Sequence, residues 1–156
     1  MRFWDTSAIV PLCVSEPMSR KVTRLLKDDE AMAVWWATRV ECTSALARRF
    51  REGSLDANGL SQATTVLDSI VDKWTEVQPV AAIRDVAERL LRVHPLRAAD
   101  ALQLAAALIW AGKSPRDCAI VCLDQVIREP DLFVATVWQS IPATFTKPES
   151  LNTASI

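Results

Sequence analysis

Short apolar runs of strand length in this chain each meet a polar residue and then a segment whose apolar residues recur three and four apart. Arg2-Phe3-Trp4 runs into Asp5-Thr6-Ser7 before Ala8-Ile9-Val10. Ala31 to Trp36 runs into Thr38, a candidate helix cap, then into Val40, Ala45, Leu46 and Phe50, closed by Gly53. Few folds tolerate that alternation. Parallel strands need long crossover connections, and helices supply them, so the pattern predicts an α/β three-layer sandwich with a central parallel sheet flanked by right-handed helical crossovers.

The remaining segments extend the pattern. Pro17 and Ser19 open a helical segment carrying Val22, Leu25 and Leu26 and ended by Asp28-Asp29-Glu30. Asp56 is predicted to cap a helix reaching Trp74, and Thr75 to Pro79 to hold a short strand. Helices are expected over Val80 to Val93 and Ala98 to Trp110, separated by His94-Pro95. Ala119 to Leu123 reads as a buried strand followed by Asp124, and Leu132 to Val137 as another. From Pro142 the chain turns to Pro, Thr, Ser and Asn, so one domain over 1–141 and a mobile tail over 142–156 are expected.

Composition removes several function classes. The only glycines are Gly53, Gly59 and Gly112, too dispersed for a phosphate-cradling loop of the P-loop or dinucleotide kind. One histidine, His94, excludes multi-histidine zinc sites. Cys13, Cys42, Cys118 and Cys122 lack metal or disulfide spacing and read as ordinary core thiols, which fits a reducing cytoplasm. The longest apolar stretch, Leu104 to Ala111, is far below the roughly 20 residues that span a bilayer, so neither a membrane span nor a signal peptide is expected. With 18 Lys and Arg against 19 Asp and Glu, the molecule has no broad attraction for polyanions, and any such site must be local.

Sites of parallel sheets form where strands pass into helices. Asp5 ends the first strand, Glu41 falls in the first turn of the helix after the second, and Asp124 follows the run Ala119 to Leu123. Asp100 sits among small and apolar residues in Arg97-Ala98-Ala99-Asp100-Ala101-Leu102-Gln103-Leu104, where an unpaired charge is costly. Gathered carboxylates raise one another's pKa unless a cation joins them, and an oxygen-only donor set selects Mg²⁺ or Mn²⁺ over zinc. Such an ion, still carrying waters, suits phosphodiester hydrolysis. With four acids committed to it, the balance of the remaining charges turns basic.

These stretches, Asp5-Thr6-Ser7-Ala8-Ile9-Val10, Val40-Glu41-Cys42-Thr43-Ser44-Ala45-Leu46, Leu96 to Ala105 and Cys122-Leu123-Asp124, resemble in their order the PIN-domain ribonucleases. The likeness is greatest to the VapC-type toxins of bacterial toxin–antitoxin pairs and covers about residues 1 to 137. The resemblance implies that Asp5, Glu41, Asp100 and Asp124 hold one or two Mg²⁺ or Mn²⁺ ions, with Ser7 supporting Asp5. It also implies cleavage of single-stranded or looped RNA to 5′-phosphate and 3′-hydroxyl ends, a cognate antitoxin laid as an apolar segment near the acids, and a homodimer. After Asp124 the chain departs from the family pattern at Ile127-Arg128-Glu129-Pro130-Asp131.

Plainer readings stand beside these. Asp5 and Asp124 serve equally well as helix N-caps, Glu41 as an exposed helix carboxylate, and Asp100 as an acid satisfied by Arg97 or a backbone N–H. Arg48, two turns after Glu41, reads as a phosphate contact or as a solvated charge; Trp35 and Trp36 read as packing before base stacking. His94 is assigned no function. Two rival activities remain: a non-catalytic binding module on the same fold, and a phosphatase with Asp5 as nucleophile, for which Ser7 stands where a second aspartate is needed.

Overall fold

A computed structural model describes residues 1–112 and 119–123. They form, in order, β1 (Arg2–Trp4), α1 (Thr6–Cys13), α2 (Ser19–Asp28), β2 (Met32–Trp35), α3 (Thr38–Arg51), α4 (Ala57–Val71), β3 (Thr75–Val77), α5 (Ala81–Val93), α6 (Ala98–Ala111) and β4 (Ile120–Val121). The expected strand over Leu132 to Val137 and the expected tail from Pro142 lie outside the described residues.

All strand pairs are parallel, in the order β3-β2-β1-β4, with Phe3 opposite Ala33 on one side and Ile120 on the other. The strands are short, and they bury both faces because consecutive side chains point to opposite sides. Phe3, Ala33, Trp35 and Val77 pack with α5 and α6 through Ile83, Val86, Leu90, Leu104 and Leu108. Trp4, Met32, Val34 and Val121 face the other way, onto Ile9 of α1, Val22 of α2, Leu46 of α3 and Leu67 of α4. The sheet is thus the middle of three layers, as the alternating apolar pattern requires.

The local stops and starts follow ordinary chemistry. The Asp56 side chain accepts from the Gly59 N–H at 2.7 Å and starts α4, which ends at Val71 instead of reaching Trp74. Gly112 takes a positive φ of 64° after α6, a conformation that costs glycine little. Thr38 does not cap α3 as its position predicts: Ala37 is the N-cap, and the Thr38 hydroxyl is buried against Gln103 of α6. Of the two adjacent tryptophans, Trp35 is buried and Trp36 is 50% exposed.

Strand order decides where a site can form. The connections from β1 and β2 step outward to β2 and β3, whereas the chain from β3 returns through α5 and α6 to the opposite side of β1. The order therefore reverses between β1 and β4, and the crevice outside their carboxyl ends is the switch point at which open parallel sheets bind ligands. Asp5 follows β1 at that point.

Candidate active site

Asp5 is the centre of this edge. Only 8% exposed, it is the N-cap of α1, and both carboxylate oxygens are occupied. Oδ2 accepts from the Ser7 N–H at 2.8 Å and the Ser7 hydroxyl at 2.5 Å; Oδ1 accepts from Gln103 Nε2 at 2.9 Å. The Ser7 hydroxyl in turn accepts from the Leu123 N–H at 2.9 Å, and the Asp5 N–H donates to Val121 at 3.0 Å. Ser7 thus supports Asp5 and also ties the end of β4 to it.

Glu41 enters from the first turn of α3 and accepts from the Thr6 hydroxyl at 2.5 Å. Burial pushes its carboxyl above the usual glutamate range, and the charges of Asp5 and Asp100 push it further, against the opposing Thr6 hydrogen bond. Asp100, in the first turn of α6, is half-buried and accepts from the Arg97 backbone N–H at 3.3 Å. It therefore fills the capping role of its plainer reading. It also faces the cleft, one turn before Gln103 on the same helix.

Asp5, Glu41 and Asp100 line one cleft of about 350 Å³ together with Thr6, Ser7, Gln103, Glu16, Arg48 and Arg49. Three helices start here, each with an acid at its cap or in its first turn, so their positive N-terminal ends offset part of the carboxylates' repulsion. Arg49 and Glu16, which also line the cleft, pair with each other. Asp124 lies outside the described residues.

Two contributors escape a reading of residue types along the chain. Gln103 is 4% exposed; its amide donates to Asp5 and, at 3.4 Å, to Thr6, while its oxygen accepts from Thr38 at 3.5 Å. Thr6 holds Glu41. A buried glutamine in an alanine-rich helix gives no sequence signal beyond being polar where its neighbours are apolar.

Among the described residues, no three His, Cys, Asp or Glu side chains converge closely enough to enclose a metal ion. The donor chemistry nevertheless fits a hard divalent cation: every cleft acid offers oxygen, and the mutual repulsion felt at Glu41 is what such a cation relieves. Cys13 and Cys42 suit no ligand role, since burial pushes Cys13 up to about 11 and Cys42 higher still. Among the described residues Cys13 and Cys42 form no disulfide, and the Cys122 thiol donates to Asp5 Oδ2 at 3.5 Å; Cys118 lies outside the described residues.

Relief of that repulsion is measurable. Because folding raises the Glu41 pKa, the native state binds protons more tightly than the unfolded chain, so stability falls as pH rises from the ordinary glutamate value of 4.5 through the raised one. Glu41→Gln, which keeps an acceptor for Thr6, is expected in EDTA at pH 7 to melt about 1–4 °C higher than wild type, as befits a partly exposed, screened repulsion. The gain should vanish when melting is repeated below pH 4.5. A variant that melts lower than wild type at pH 7 would show that Glu41 is net stabilising.

No protein-family model matches the chain, and no curated protein matches it. Among the described residues, no helix is long and apolar enough to cross a membrane.

Proposed function

We propose that this protein is a PIN-like, Mg²⁺- or Mn²⁺-dependent endoribonuclease that hydrolyses RNA phosphodiester bonds, the toxin of a VapBC-type pair. One observation carries the reading: Asp5, Glu41 and Asp100, separated by some 95 positions of sequence between first and last, line a single cleft at the carboxyl edge of a parallel sheet. A cation bound by Asp5, Glu41 and Asp100 would supply an activated water and stabilise the leaving oxygen, and the family resemblance implies Asp124 as a further ligand.

The chain's own residues do the rest. Ser7 and Gln103 fix both oxygens of Asp5, so its carboxylate is aimed before anything binds. Thr6 does the same for Glu41. This locked, hydrogen-bonded Asp5 is a poor nucleophile, which weighs against the phosphatase alternative, as does Ser7 in place of a second aspartate. Exposed Trp36, directly after β2, and Val40, directly before Glu41, offer apolar surface near the edge where an antitoxin segment is expected to lie. The homodimer and a cytoplasmic location belong to the same proposal.

The experiment is incubation of end-labelled cellular RNA with the purified chain in Mg²⁺, in Mn²⁺ and in EDTA. Cutting is expected with either ion and absent in EDTA, with new 5′-phosphate and 3′-hydroxyl ends. RNA left intact in every lane favours a second reading, a non-catalytic binding module on the same fold.

A further inference from the structure

The cleft has two electrostatic ends. Glu41, Ala45 and Arg48 lie on one face of α3 at spacings of four and three, and all three line the cleft, so acid and base are about 10 Å apart along the helix axis. Two arginines face the cleft, and they are not equivalent. Arg49 is neutralised by Glu16, whereas Arg48 is exposed and makes no ion pair among the described residues.

A polyanion entering this cleft meets the carboxylates of Asp5, Glu16, Glu41 and Asp100. One phosphate can be accommodated at the acid end through a divalent cation; the neighbouring phosphates need a cation supplied by the protein. Arg48 is the group so placed, and a guanidinium suits phosphate because it offers two parallel donors.

Resting on the nuclease reading above, we infer that Arg48 binds a non-scissile phosphate of the RNA, which makes the substrate a strand laid along α3 from the acid end toward the helix C-terminus. The cleft on this account selects chains of several phosphates over isolated phosphate esters. The plainer role of Arg48, a solvated cation complementing the C-terminal end of the α3 dipole, involves no ligand at all.

The test is fluorescence anisotropy of a labelled single-stranded RNA titrated with wild-type protein at a series of KCl concentrations, with Ca²⁺ in place of Mg²⁺ so that an oxygen-ligand cation is present while the RNA stays whole. Arg48→Ala should weaken binding about tenfold and reduce the steepness of log Kd against log salt by about 0.7, the share of one phosphate contact on a single strand. Arg48→Lys should restore the slope but only part of the affinity, and Arg92→Ala, on exposed α5 surface, should change neither. If wild type cuts RNA yet Arg48→Ala keeps both affinity and slope, this inference is overturned and the nuclease reading survives. If wild type neither cuts in Mg²⁺ nor binds in Ca²⁺, both fall together.

Discussion

Asp100→Asn and Asp5→Asn are each expected to lower Mg²⁺-dependent RNA cleavage by about a thousandfold or more, the equivalent of roughly 4 kcal/mol of transition-state stabilisation. The two variants differ in what else they disturb. Asn at position 100 keeps an oxygen for the Arg97 N–H, and the side chain is only half-buried, so the melting temperature should stay near that of wild type. Asn at position 5 keeps one acceptor and replaces the other with an amide. Either Ser7 or Gln103 then meets a donor where an acceptor stood, which costs about 1–3 kcal/mol of stability. Activity measured beside thermal melting separates the effects. Asp100→Asn that melts like wild type and cuts like wild type would remove Asp100 from the chemistry.

Gln103→Leu is expected to be the most damaging change outside the acids. It fills nearly the same volume but withdraws the donor from Asp5 Oδ1, leaving a nearly buried carboxylate oxygen without its partner and the Thr38 hydroxyl without its acceptor. Losing a hydrogen bond to a charged group costs roughly 1.5–3 kcal/mol, which lowers the melting temperature by about 3–12 °C in a domain of this size. Cleavage should fall at least about tenfold, because an unaimed Asp5 loses the positioning on which the site depends. Gln103→Glu should be worse at pH 8 than at pH 5, since it sets a second carboxylate against Asp5. Unchanged melting and unchanged activity in both variants would mean that the Gln103–Asp5 contact does no positioning.

How far the chain could be read in advance follows from what each feature depends on. Helices α3 to α6 were legible because a period of 3.6 is written locally, β1 and β2 because short apolar runs of strand length end at polar residues, and Asp5 and Asp56 announced their helix starts by type and position. Ends were less legible: α4 stops at Val71 although Trp74 continues its apolar count, because Trp74 belongs to the approach to β3. Thr38 was misread as a cap because its true partner, Gln103, is 65 positions away. A larger separation, 98 positions, hid the Gln103 amide beneath Asp5, since hydrogen bonds between remote elements leave no spacing to detect. Asp100, expected deep among apolar neighbours, is half-buried because the first turn of α6 opens onto the cleft while the apolar face of the helix starts at Ala101.

The acids themselves were legible for a more general reason: strand ends in a parallel sheet meet at one edge, so residues following successive strands become neighbours whatever their separation. Whether they act together as a cation site is the central claim, and calorimetric titration of Mn²⁺ into the wild-type chain and into Asp100→Asn tests it most directly. The account predicts saturable uptake by wild type that is lost in the variant. No uptake by wild type, or the same isotherm in both, would contradict it.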